Sequence, residues 1–211
     1  GETLRSVLAQ LRRGNRDYLK RWSLTRLLRV FIQICEAIGY AHTKGVIHRD
    51  LKPENIMLGE FGEVLVVDWG IAKVKGTPGH LCEEAKKTAY VSAIRNDDGH
   101  IHLATLEGTI AGTPQYMAPE QAAGDIDKIN ESTDIFALGA ILYEILALRP
   151  PYHGRDVYDV LSKAEAANHT DLRKLSTTTH AGGHKGDVTE ETWTDRLHCE
   201  NGKVPDALAA V

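Results

Sequence analysis

His48-Arg49-Asp50-Leu51-Lys52-Pro53-Glu54-Asn55 places a carboxylate, a cation and an amide on one short connector between two apolar segments. Upstream, Gly45-Val46-Ile47 reads as a turn entering a short strand, and downstream Ile56-Met57-Leu58 reads as a second strand. Pro53 fixes the backbone of the connector and contributes no N–H. A loop stiffened in this way holds Asp50, Lys52 and Asn55 at set mutual distances. Phosphoryl transfer asks for that kind of site, because its catalysis is mostly positioning and charge neutralisation. The alternative is a charged loop that is merely solvated.

Working outward, Ser23 caps a long helix in which Leu24, Leu27, Leu28, Phe31, Ile34, Cys35, Ile38 and Ala41 keep a helical period until Gly45 stops it. This helix leads into the loop, and His42 near its end reads as a helix-terminus residue. Earlier, Thr3 caps a helix with Leu4, Val7, Leu8 and Leu11 on one face, ending near Gly14. Residues 12–22 are basic and polar, and read as a surface connection.

On the other side of the loop, Gly59 to Gly62 turn the chain and Val64-Leu65-Val66-Val67 form an apolar strand. That strand delivers Asp68-Trp69-Gly70, a carboxylate at a strand end followed by glycine, well placed to hold a metal ion. Taken alone, such a triplet is also an ordinary turn. Residues 71–110 are polar, with Asn96-Asp97-Asp98-Gly99 as a hairpin tip between strands at 91–94 and 101–106. A loop of this length inside a domain is usually functional. His100 and His102 alternate on the second strand, but two imidazoles without further ligands make a surface pair before they make a metal site.

Beyond Gly112-Thr113-Pro114-Gln115-Tyr116-Met117-Ala118-Pro119-Glu120, Ser132 or Thr133 caps a helix through Ile135, Phe136, Leu138, Ile141, Leu142, Ile145 and Leu146. It is apolar nearly all round and therefore buried. Pro150-Pro151-Tyr152 ends it, and Val157, Val160 and Leu161 predict one more helix.

The 211 residues suffice for one domain, and 42% hydrophobic content is ordinary for a packed core. A net charge of -4 gives no global basic field and disfavours nucleic acid. Cys35, Cys82 and Cys199 are odd in number and widely spaced, which predicts free thiols in a reducing compartment. No apolar run approaches a membrane span and no signal-peptide region opens the chain, so this segment is expected to be cytoplasmic without membrane contact, whatever anchor the parent protein carries.

The loop at 48–55 matches the pattern H-R-D-L-x-x-x-N at every fixed position. With Asp68-Trp69-Gly70 eighteen residues after Asp50 and Ala118-Pro119-Glu120 closing the later segment, the chain resembles bacterial serine/threonine protein kinases of the eukaryotic-like family. Trp69 stands where the family usually has phenylalanine, keeping a large apolar ring. The resemblance implies a mainly α, α+β fold: the large, helical C-terminal lobe of a kinase, with short β-hairpins around the catalytic loop and a long activation segment. It covers residues 1–166 as a partial domain, with 167–203 as a polar, flexible insertion and 204–211 as the start of a further helix of the lobe. Neither a G-x-G-x-x-G loop nor a V-A-I-K strand precedes the catalytic loop, so the expectation is a domain cut at both ends that works poorly alone.

The same resemblance implies the roles. Asp50 receives or orients the proton of a substrate hydroxyl, Asn55 and Asp68 hold magnesium, and Lys52 neutralises the transferred phosphoryl group of ATP. Met57 matches the residue under adenine, or is plain strand core. His48, Trp69 and Gly70 complete the two motifs. Thr113 bonds Asp50, Glu120 awaits a later arginine, and Asp134 anchors the catalytic loop from below. Arg49 reaches a phosphate on the activation segment, with Thr109 as first choice of acceptor and Thr105 second. Partners would be ATP and proteins bearing Ser or Thr, with a homodimer for autophosphorylation allowed. A pseudokinase or scaffold lobe is the other reading, and it would be expected to have lost Asp50 or Asp68.

Overall fold

The computed structural model describes residues 1–69, 73–74, 93–95, 101–103, 114–172 and 208. Six helices and seven short strands can be followed among them.

Helix α1 (Leu4–Arg12) starts where Thr3 Oγ1 accepts the Ser6 N–H, and it buries Leu4, Val7, Leu8 and Leu11. The stretch expected to be a surface connection contains α2 (Arg16–Arg21), capped by the Asn15 side chain. It buries no residue, so it lacks the apolar period that would have betrayed a helix. Trp22 at its end is 2% exposed. Helix α3 (Leu24–Thr43) is capped by Ser23 and buries Leu27, Val30, Ile34, Ile38 and Ala41. Gly45 follows with φ +71°, a left-handed turn that glycine adopts at little cost.

Helix α4 (Pro119–Ala122) is a single turn, and α5 (Glu131–Ala147) is buried along most of its length. The cap of α5 is Asn130, whose side chain accepts the Ser132 N–H, rather than Ser132 or Thr133. Thr133 instead sits inside the first turn with its hydroxyl on Glu120. Leu148 closes α5 with φ +56°, an unusual left-handed cap for a branched side chain. Helix α6 (Val157–Glu165) is capped by Asp156.

Strands β1 (Glu2–Thr3), β3 (Ile56–Leu58) and β4 (Val64–Val66) form one antiparallel sheet with β3 in the middle. β2 (Val46–Ile47) pairs with β5 (Lys73–Val74), and β6 (Ala93–Arg95) pairs with β7 (Ile101–Leu103). The last pair overlaps the two strands expected of the hairpin, β6 reaching one residue beyond the expected 91–94, in the register Ala93↔Leu103 and Arg95↔Ile101, while its tip lies outside the described residues. β1 was not expected, because two residues are too few to show a period.

Helices α3 and α5 pack against each other and against α1 in one core that includes Leu8, Leu27, Ile34, Ile38, Ile141 and Ile145. Each such side chain contributes roughly 1.5–3 kcal/mol by leaving water. The catalytic-loop candidate joins this core through Leu51 and Ile56. Packing also runs past the expected boundary at 166: Tyr143 Oη donates to Thr170 O at 2.8 Å, and Leu172 is buried beside Leu142 and Leu146. Leu208 lies against the same cluster, and the remainder of 173–211 is outside the described residues. No helix among the described residues is long and apolar enough to cross a membrane.

Candidate active site

The loop between β2 and β3 is held from below by one carboxylate. Asp134, 1% exposed in the first turn of α5, accepts the His48 N–H on Oδ2 and the Arg49 N–H on Oδ1, both at 2.8 Å. Its Oδ2 also meets His42 Nε2 at 2.7 Å, so the histidine at the end of α3 has a definite partner across 92 residues of sequence. From the other side, Gln121 Nε2 donates to Arg49 O at 2.7 Å, tying α4 to the next peptide group of the loop. Arg49 has φ +72°, a region costly for a non-glycine residue, and the bonds on both of its peptide groups hold it there.

Above this anchor, Asp50 Oδ2 accepts Lys52 Nζ at 2.7 Å and Asn55 Nδ2 at 3.2 Å, while Asn55 Nδ2 also donates to Asp50 O at 2.8 Å. Pro53 opens a single 3-10 turn over Pro53–Asn55 that brings the amide back onto the carboxylate. One oxygen of Asp50 is thus clamped, and the side chain keeps 23% of its surface open to solvent. Because the Asn55 amide nitrogen is the atom that meets Asp50, its Oδ1 is not engaged by that carboxylate.

Val67 N–H donates to Asn55 O, which places the end of β4 next to the loop and delivers Asp68 beside it. Asp68 has φ +64°, so both motifs contain a non-glycine residue in the left-handed region. Its side chain is exposed. The Trp69 ring lies 4.6 Å from the His48 ring at 55° and its Nε1 donates to Val66 O, so the indole packs under the site. Gly70, Thr113, Thr109 and Thr105 lie outside the described residues.

His48 is fully buried, with Nδ1 accepting the Asp50 N–H at 3.3 Å and Nε2 facing Val67 O at 3.1 Å. This pair of partners calls for the neutral Nε2–H tautomer. Burial pushes the imidazole below its ordinary value of 6.5, against the smaller raising effects of Val67 O and the nearby carboxylates. The unfolded chain therefore binds more protons than the folded one just below pH 6.5, and His48 withdraws stability as the pH falls through that window. Urea unfolding should show a lower midpoint at pH 5 than at pH 7.5, and His48→Tyr should reduce that difference. A variant with an undiminished pH dependence would remove His48 as its source.

A second polar cluster borders the loop. Arg5 on α1 donates to Glu54 Oε1 and to Glu144 Oε1, both at 2.7 Å, and to Tyr116 Oη, whose own hydroxyl donates to Glu144 Oε2. Glu144 has a side chain 3% exposed; burial raises its carboxyl above the usual range, while Arg5 and the Tyr116 hydroxyl pull it back down. The sequence reading gives none of these four residues a role, although Glu54 and Tyr116 stand inside the two quoted motifs.

The sequence matches the protein kinase domain family over residues 7–193. The chain belongs to that family. It is 42% identical over 158 residues to the serine/threonine-protein kinase PknD of Protochlamydia amoebophila, covering 72% of this chain and 15% of that protein. It is 37% identical over 182 residues to the protein of that name from Chlamydia abortus (82% and 18%), and 44% identical over 140 residues to the one from Chlamydia trachomatis serovar L2b (65% and 14%). The chain thus spans less than a fifth of the length of these relatives.

Proposed function

We propose that the protein containing this chain transfers the γ-phosphate of ATP to Ser and Thr hydroxyls of proteins, and that the described residues form the large lobe of its catalytic domain, with the cytoplasm as its compartment. The observation that carries this reading is the geometry at Asp50: one carboxylate oxygen clamped by Lys52 and Asn55, the other left for a substrate hydroxyl, on a loop anchored by Asp134. Asp50 orients the hydroxyl and receives its proton as the oxygen attacks phosphorus. Lys52, whose Nζ already sits at the carboxylate, brings positive charge to the transferred phosphoryl oxygens. Its place two residues after Asp50, and the names of the relatives as serine/threonine kinases, favour Ser and Thr over Tyr.

Asn55 Oδ1 and the exposed Asp68 carboxylate are oxygen donors of the kind magnesium prefers, so the residues present fit that ion. When bound, magnesium would neutralise phosphate charge. Met57, partly buried at the centre of the β1-β3-β4 sheet, is the proposed floor under adenine. A scaffold role would make no use of Asp50 and Asp68. Full-length protein incubated with magnesium and γ-labelled ATP should place label on Ser and Thr of a general acceptor protein. Label on Tyr alone, or none with or without magnesium, overturns the reading.

The proposal extends to control. Arg49 is 8% exposed and its Nε has no hydrogen-bond partner among the described residues, an expensive state for a buried cation donor that an anion would relieve. We assign that anion to a phosphate on Thr109, three residues before Gly112, with Thr105 as second choice. Mass spectrometry of the active full-length protein should find Thr109 modified, and Thr109→Ala and Arg49→Ala should both lower turnover. An unmodified Thr109, or two variants as active as the wild type, would end this assignment.

A further inference from the structure

Residues 12–29 hold Arg12, Arg13, Arg16, Lys20, Arg21, Arg26 and Arg29 against the single carboxylate of Asp17, in a chain whose net charge is -4. This concentration of cations adjoins a cavity of about 450 Å³ between the first half of α3 and the β3–β4 turn, lined by residues other than those of the loop at 48–55, although β3 follows that loop directly. Trp22, Val30, Leu58 and Val64 give the cavity apolar wall, and Arg26 and Arg29 stand on it as cations.

Three features set this recess apart from an ordinary charged surface. The Arg26 guanidinium lies 4.3 Å from the Trp22 ring centroid, which holds it over the cavity, and it gives one N–H to Arg21 O at 3.2 Å. Arg29 is exposed and makes no ion pair among the described residues. Trp22 is 2% exposed, and its Nε1 has no hydrogen-bond partner among the described residues, although buried indole N–H groups are ordinarily paired. The carboxylate on the opposite rim, Glu63, accepts the Phe61 N–H and is thereby drawn into its own turn. Phe61, at the tip of that turn, is 92% exposed beside the cavity.

We propose that this recess docks an acidic segment of a partner protein: one apolar side chain enters against Val30, Leu58 and Val64, while flanking carboxylates or phosphates meet Arg26 and Arg29. The volume is at the small end of the roughly 300–1,000 Å³ of ligand pockets, which suits one or two side chains of a peptide. The opposite charges steer the encounter and set its salt dependence. A bilayer surface cannot enter a recess, and a free phosphate would leave the apolar wall without a contact. The cavity shares no lining residue with the proposed phosphoryl-transfer site, so its test needs no ATP and stands or falls separately from the kinase reading.

The test is anisotropy titration of the 211-residue chain with a labelled nonapeptide of Asp and Glu around one central Phe, alongside the same peptide with Ser for Phe, one with Gln and Asn for the acids, and one with a phosphoserine beside the Phe. Binding by the first and the last is expected, falling as salt rises. Arg29→Glu, on an exposed position, and Gln33→Trp, which fills the cavity from an exposed position, should each weaken it by about tenfold or more. Circular dichroism verifies that both variants remain folded. Equal binding of the Ser peptide would reduce the site to unspecific charge, and equal binding of the uncharged peptide, or indifference to Arg29→Glu, would refute the role of the arginines. Displacement of the peptide by inorganic phosphate or anionic vesicles at the same charge concentration would replace a peptide site with a plain anion site.

Discussion

Asp50→Asn in the full-length protein should lower turnover by at least about 10²-fold, the usual loss when a proton-transfer group is removed. The asparagine keeps the shape of the side chain and an oxygen that can still accept from Lys52 and Asn55, whose bonds to Asp50 run at 2.7 and 3.2 Å. What it loses is the negative charge and the free carboxylate oxygen that a substrate hydroxyl would meet. Nucleotide binding, measured by titration with magnesium and ATP, should change far less than turnover. An unchanged rate would sink the assignment, whereas a collapse of both quantities together would point to a damaged loop rather than a lost base.

The second large effect concerns stability. Arg5→Met should cost about 3 kcal/mol, the lower end of what breaking a buried ion pair costs, since Arg5 itself is 30% exposed while Glu144 is 3% exposed. The penalty arises because Glu144, buried and beside Glu54, would have either to stay charged in the core without the guanidinium or to take up a proton. Adding Glu144→Gln should recover much of the loss, since the double change leaves no charge orphaned in the core, Glu54 being 38% exposed, and the two sites are in direct contact. Urea unfolding of the two variants and the wild type is the measurement. A single variant within roughly 1 kcal/mol of the wild type would show that water already reaches the cluster and screens it.

Arg5 also fastens α1 to Glu54, which stands between Lys52 and Asn55 in the 3-10 turn of the loop. Loss of this tie should therefore appear in catalysis as well as in stability.

The amino-acid sequence by itself determined the helices that bury a face. Thr3 and Ser23 were legible as caps, and the apolar spacing after each marked α1 and α3, because hydrophobic burial acts residue by residue and leaves its period in the chain. The same holds for α5, whose apolar residues surround the axis, and for the motifs at 48–55 and 68–70, whose chemistry needs fixed residue types at fixed spacing. Where burial is missing, as in α2, or where an element is two residues long, as in β1, no period exists to be read. Beyond the anchoring of the loop by Asp134, which the family resemblance implied, tertiary structure alone decided which polar atoms meet. Asp134 receives two backbone N–H groups of the catalytic loop and the ring of His42, and Arg5 gathers Glu54, Tyr116 and Glu144, because α1, α3 and α5 pack together and bring these atoms within reach. The left-handed backbone at Arg49 and Asp68 belongs to the same category. Neither residue prefers that conformation, and at Arg49 it is bonds to partners 72 and 85 residues away that hold it, which is why no local stretch of sequence announces it.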